Sequence, residues 1–214
     1  TISVTPKYLG PWYVAAGSGA AVSDTSSSDD VGSTSNPLSH LKGAIEIAAS
    51  GDTIILQQGT HSGSSDRGRD WGNTKSLVIM GDPALTADKI IIDAKGKDRH
   101  FTFDNNEDTT TQIIALTLKN GYDTDYGGSI KINYASVKLK GVIFENNYSD
   151  ANDYYAAGAV SAYNTSTIID SCIFDGNYIN SSEGRRGGAI SVSWQNNVNE
   201  IMTVTRSTFK NNYV

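Results

Sequence analysis

The chain has 214 residues, 23 acidic against 17 basic side chains for a net charge of −6, and a single cysteine. This length suits one domain or at most two. Lone Cys172 excludes a disulfide framework, no apolar run reaches the ~18 residues of a membrane helix, and there is no basic stripe for nucleic acid.

The 38% hydrophobic content is enough for a core, which argues against whole-chain disorder. Eighteen of the acids are Asp and five are Glu, and glycine is abundant at 21. Asp and Asn hydrogen-bond their own backbone in turns, whereas Glu favours helix, so the composition points to strands and turns.

In chain order, no leader is visible at Thr1, so the sequence reads as a mature chain or an excised piece. Trp12-Tyr13-Val14 is a short β-prone run. Gly17 to Asn36 is rich in Ser, Gly and Asp and reads as an exposed loop; Asp24, Asp29 and Asp30 lie in it. The one convincing helix follows over 37–50. Asn36 is a suitable N-cap and Pro37 a suitable first residue, Leu38, Leu41, Ile45 and Ala48 recur at helical spacing, and Gly51 ends it.

Beyond Gly51 the pattern becomes short β-rich runs: Thr53-Leu56, Ser76-Met80, Lys89-Ile92, Phe101-Phe103, Ile113-Leu118, Ser129-Ile132, Val137-Phe144, Val160-Ala162, Thr167-Phe174, Ala189-Val192 and Met202-Phe209. Such a series would ordinarily suggest a sandwich or barrel. An internal repeat argues otherwise. Gly127-Gly128-Ser129-Ile130 recurs as Ala157-Gly158-Ala159-Val160 and as Gly187-Gly188-Ala189-Ile190, each step being 30 residues. Phe144-Glu145-Asn146-Asn147 recurs 30 residues later at Phe174 and a further 35 later at Phe209.

Parity assigns the faces. Ile130, Val160 and Ile190 share a register and point inward, whereas Lys131, Ser161 and Ser191 point outward. Val137 and Leu139 are odd-numbered but Val142 and Phe144 even, so this run must bend. A ~30-residue unit of three short strands cannot bury its own apolar side, but stacked on copies of itself it can. The expected fold is all-β: a right-handed, single-stranded parallel β-helix with three short strands per coil. Residues 1–51 would provide a strand, a loop and a capping α-helix, and 52–214 the coils. Phe144, Phe174 and Phe209 would form a core ladder. Asn147, Asn177 and Asn212 would form a corner ladder, Asn being tolerant of left-handed backbone.

The Gly-Gly-Ala-Ile and Phe-x-x-Asn pair resembles the repeats of chlamydial polymorphic outer-membrane proteins. The stretch from Ala44-Ile45 through Gly51-Asp52-Thr53-Ile54-Ile55-Leu56-Gln57-Gln58-Gly59-Thr60 looks like the opening of right-handed β-helix proteins of the pectin-lyase-like superfamily. Ile90-Ile91-Ile92-Asp93 and Leu116-Thr117-Leu118-Lys119-Asn120-Gly121 are similar to the same pattern. The resemblance covers roughly residues 10–214 and implies the fold. Function varies across such proteins from lyases and hydrolases to adhesins and passenger domains, and no catalytic signature accompanies the motifs.

Chemistry is expected in the segments joining each Phe-x-x-Asn to the next Gly-Gly, which stacking would place along one edge. Their candidate ligand-binding residues are Tyr122, Asp123, Asp125, Tyr126, Asp150, Asp153, Tyr154, Glu183 and Arg185. Tyrosine faces beside carboxylates suit sugar rings, and paired acids on neighbouring coils could reach the ~5–9.5 Å separation of glycosidase carboxylates. The plainer reading is a set of solvated loops in which Tyr covers the shoulder of the core. Asp123, Asp125, Asp150 and Asp153 are also the candidate Ca²⁺ ligands, although they lack the Gly and bidentate Glu of a known loop. A uronate lyase of the resembled fold would need a base such as Arg185 or Arg186 beside a metal-held carboxylate, and the net negative charge opposes a polyanion.

His40, His61 and His100 show no metal-ligand spacing and read as structural, as does Cys172 in the core. Asp66-Arg67-Gly68-Arg69-Asp70-Trp71 reads as a loop pinned by ion pairs. The expected function is a secreted or cell-surface module of structural or adhesin-like role, contacting glycans along the loop edge. The alternatives are a polysaccharide lyase or glycoside hydrolase, or a self-assembling solenoid. The last is motivated by Tyr213-Val214, which directly follow a complete corner; the expectation is that the solenoid continues in a longer chain or that the last coil is covered by a neighbour, end to end.

Overall fold

A computed structural model describes residues 9–17, 31–70, 75–152, 155–180, 187–195 and 200–214. The chain is an all-β parallel solenoid of about four turns. Among the described residues the strands form four parallel sheets running up the stack. The largest contains β1 (Trp12–Val14), β2 (Thr53–Leu56), β4 (Val78–Gly81), β7 (Gln112–Ile114), β11 (Lys138–Lys140), β15 (Ile168–Asp170) and β19 (Thr203–Thr205). The second contains β3 (Gly59–His61), β5 (Ile90–Asp93), β8 (Thr117–Lys119), β12 (Ile143–Glu145), β16 (Ile173–Asp175) and β20 (Thr208–Lys210). The third contains β6 (Phe101–Phe103), β10 (Ile130–Asn133), β14 (Val160–Tyr163) and β18 (Ile190–Ser193). The repeat fixes the register: Ile130, Val160 and Ile190 are direct partners, as are Phe144, Phe174 and Phe209.

The fourth sheet was not legible in the sequence. The segments read as loops each begin with a two-residue strand: β9 (Tyr122–Asp123), β13 (Tyr148–Ser149) and β17 (Tyr178–Ile179). The middle rungs therefore have four strands, not three. The bend required by the parity flip lies where expected. Ala115, Gly141, Ser171 and Arg206 all adopt positive φ between the first and second sheets, dividing each apparently continuous run in two. Gly128, Gly158 and Gly188, the second position of each copy of this motif, are needed for close approach: a Cβ on Gly158 would come within 2.5 Å of Tyr178 N.

The aromatic ladder is present. Phe144, Phe174 and Phe209 stack with centroids 4.6 and 4.7 Å apart and rings within 3° of parallel. Phe144 and Phe174 are fully buried, but Phe209, on the last rung, is 49% exposed.

The asparagine ladder is also present, for a different reason from the one expected. The left-handed residues are Asn120, Asn146, Gly176 and Asn211, one position earlier. The ladder asparagines point inward instead. Asn147 Nδ2 donates to Asn177 Oδ1 and Asn177 Nδ2 to Asn212 Oδ1, each at 2.9 Å. The three Nδ2 groups also donate, rung by rung, to the carbonyls of Leu118, Phe144 and Phe174. A buried polar row is tolerated because it is hydrogen-bonded along its length.

One rung earlier, Gly121 holds the ladder position and has no side chain. His100 fills the space, with Nε2 3.0 Å from the Ile92 carbonyl and Nδ1 2.9 Å from Ser129 Oγ. Two carbonyls face Nε2, which assigns the proton there and makes Nδ1 the acceptor for Ser129. A Cβ on Gly121 would overlap the Gly128 carbonyl oxygen and lie 2.9 Å from His100 Cε1, so this position needs glycine. Burial lowers the His100 pKa to about 4.

The helix caps the first coil but is shorter than expected. It spans α1 (Leu41–Ile47), with Leu38 before it bridging to Val14 in β1. Asn36 does not cap it. The Leu41 N–H instead donates to Asp66 Oδ1 at 2.9 Å, and Lys75 Nζ donates to the Ile45 and Ala48 carbonyls at the other end. The apolar stripe of Leu38, Leu41, Ile45 and Ala48 is buried as expected. Within residues 66–70, Asp66 also accepts from Gly63 N–H, and Arg67 and Arg69 donate to carbonyls of Ser62 and Arg67. Trp71 and the Asp24, Asp29 and Asp30 loop lie outside the described residues. Among the described residues no helix is long and apolar enough to cross a membrane.

Candidate functional site

The loop edge is built on the fourth sheet. Because β9, β13 and β17 are in register, Tyr122, Tyr148 and Tyr178 stack with centroids 4.7 and 5.1 Å apart, and Tyr213 continues the column at 4.9 Å. Each ring covers its neighbour's face. Tyr122 is thus part of a packing column, and its face towards Tyr148 is not available to a sugar. Its hydroxyl donates to Asp150 Oδ2 at 3.0 Å, and this bond holds the phenol pKa above its usual value.

The edge acids have partners within the fold. Arg99 grips Asp123 through both oxygens, at 2.9 Å from Nε and 2.6 Å from Nη2, with the guanidinium buried. Asp123 Oδ1 also accepts the Asp125 N–H at 2.8 Å. Asp150 accepts from Tyr122 and, through Oδ1, from Asn180 Nδ2 at 3.2 Å. Asp125 lies 3.7 Å from Lys131 Nζ. Asp153, Tyr154, Glu183, Arg185 and Arg186 lie outside the described residues. Among the described residues no group of three or more His, Cys, Asp or Glu side chains is placed to hold a metal ion.

One concave feature lies beside this edge, on the outer face of the third sheet. A groove of about 290 Å³ is lined by Tyr126, Lys131, Asn133, Tyr134, Tyr155 and Tyr163, with Ile132 and Ser161 at its floor. β10 and β14 supply alternate residues to it: Lys131 and Asn133 from one strand, Ser161 and Tyr163 from the next. Tyr134 follows β10 directly, at φ 51°, and its ring meets Tyr163 edge-on at 5.4 Å. Tyr155 reaches in from the preceding loop and meets Tyr163 at 5.3 Å and 61°.

The rings are held in place. Ser161 Oγ donates to the Tyr155 carbonyl at 2.6 Å, and Tyr134 Oη donates to Gln195 Oε1 at 3.3 Å. Desolvation and the neighbouring Tyr134 hydroxyl raise the Tyr163 pKa, so it remains a neutral phenol at physiological pH. Tyr134 and Tyr155 are 50% and 39% exposed, leaving aromatic surface open at the groove. Lys131 Nζ sits 4.7 Å from the Tyr126 ring centroid.

Of the expected binding residues that the structure describes, only Tyr126 lines this groove, with Asp125 near its rim through Lys131. Lys131, Asn133, Tyr134, Tyr155, Ser161 and Tyr163 were missed. The outward parity of Lys131 and Ser161 was readable, and carrying it two residues further would have reached Asn133 and Tyr163. The convergence of Tyr134 and Tyr155 on Tyr163 depends on where a loop folds back.

His61 and Cys172 are structural. His61 Nε2 contacts the Gln57 carbonyl at 3.0 Å and burial lowers its pKa. Burial pushes the Cys172 thiol up to about 11, so it stays protonated and unreactive.

No family model, curated protein or solved structure matches the chain.

Proposed function

We propose that the protein is a secreted or cell-surface β-solenoid module with an adhesin-like, non-enzymatic role, and that it binds glycan in the tyrosine groove. The observation that carries the proposal is the set of Tyr134, Tyr155 and Tyr163, fixed around a groove that also presents Lys131 and Asn133. Sugar rings have apolar CH faces and hydroxyl edges, so they bind where aromatic surface and a few preset polar groups converge. The volume, about 290 Å³, suits one or two sugar rings. The resemblance of the repeats to those of polymorphic outer-membrane proteins and pectin-lyase-like chains supports a surface setting and a carbohydrate ligand.

The test is glycan-array binding by the purified chain, followed by titration of any hit against Tyr163→Ala and Tyr163→Phe. Loss of the ring is expected to weaken binding about tenfold or more, and loss of the hydroxyl alone much less. Absence of binding to any sugar would overturn the proposal. Release of new reducing ends from a bound polysaccharide would favour the lyase or hydrolase reading instead.

A further inference from the structure

We infer that the groove takes an uncharged sugar residue rather than an acidic one, with Lys131 acting as a donor to ligand hydroxyls and not as a counter-ion. The inference rests on the glycan reading and concerns which glycans bind. Among the described residues Lys131 is the one charged residue lining the groove; the others are Tyr126, Ile132, Asn133, Tyr134, Tyr155, Ser161 and Tyr163. Its charge is already answered from two sides. Asp125 Oδ2 lies 3.7 Å from Nζ, and the face of Tyr126 lies beneath it. The lysine side chain is only 20% exposed, whereas the Asp125 side chain, at 53%, is open to an incoming ligand.

Asp125 is also tethered. Its N–H is held by Asp123 Oδ1, and Asp123 is clamped by buried Arg99. An anionic ligand group drawn to Lys131 would therefore meet the Asp125 carboxylate close by. Asp150 lies on the adjoining edge, and the whole chain carries −6. Like charges brought together at a binding surface select against the wrong ligand. A hydroxyl oxygen meets no such opposition: the ammonium has three N–H bonds, and those not directed at Asp125 can serve the ligand.

The experiment is calorimetric titration of the full chain with matched oligosaccharides, neutral, uronate-containing and sulfated, at low and high salt. Neutral sugars are expected to bind with affinity almost independent of salt, and their acidic counterparts about tenfold more weakly. Asp125→Asn should narrow that gap by improving the acidic ligands. Lys131→Met should weaken the neutral ligands several-fold. Urea midpoints of both variants establish that they are folded. Tighter binding of the acidic series, weakened by salt, would overturn this inference and leave the glycan reading standing. No binding by any member of the panel would overturn both.

Discussion

Replacing Asn177 by Ala tests whether the inward asparagine row holds the stack together. The Asn177 carboxamide uses its whole hydrogen-bonding capacity. Oδ1 accepts from the Asn147 backbone N–H at 3.0 Å and from Asn147 Nδ2 at 2.9 Å. Nδ2 donates to the Phe144 carbonyl at 3.0 Å and to Asn212 Oδ1 at 2.9 Å. Truncation to Ala strands groups on both neighbouring rungs. Those of Asn147 and Phe144 are buried beyond the reach of solvent, whereas Asn212 is only partly buried and can be rehydrated. At about 1–3 kcal/mol per buried unsatisfied group, the expected loss is about 3–5 kcal/mol.

Equilibrium urea denaturation followed by far-UV circular dichroism measures it, with hydrogen exchange at the Asn147 amide as a local probe. Asn177→Asp sharpens the test. It keeps the acceptor but turns the donor into a second acceptor facing the Phe144 carbonyl. It should be at least as damaging at neutral pH, and its deficit relative to the parent should shrink in acid as the carboxyl regains a proton to donate. If Asn177→Ala stays within about 1 kcal/mol of the parent, the ladder is not a source of stability and the reasoning fails.

The remaining predictions concern the head of that row and the aromatic column. His100 has a folded pKa of about 4 against the 6.5 of a free imidazole. Between these values the unfolded chain binds the proton and the folded one does not, so stability rises with pH across the window. It falls by up to about 3 kcal/mol as pH drops from 6.5 to 4. His61 contributes in the same direction. Denaturation midpoints against pH should show this slope in the parent and a shallower one in His100→Gln. Phe174→Ala, between two stacked rings in the core, should cost about 3–5 kcal/mol. Phe209→Ala, on the half-exposed last rung, should cost under about 2 kcal/mol. Equal costs in the two variants would contradict the assigned burial.

The sequence alone determined the periodic features of the protein. The 30-residue step placed Phe over Phe and Ile over Val because in a stacked parallel solenoid the repeat length sets the register. The parity flip between Leu139 and Val142 revealed the corner because side chains of an unbroken strand must alternate. The sequence also identified the helix by its apolar stripe, although the helix ends were wrong, because the groups that cap it, on Asp66 and Lys75, come from distant parts of the chain.

Only the tertiary structure decided the non-periodic features. It showed that Asn147 bonds inward while its neighbour Asn146 takes the strained backbone, a division that two identical residues cannot announce. It placed His100 in the space left by Gly121, since a ring can substitute for a missing amide only where the folded chain brings the two together. It also showed which tyrosines stack on one another along the edge and which border the groove. Whether a tyrosine ring is covered by another or left open depends on contacts between rungs and loops that local sequence does not specify.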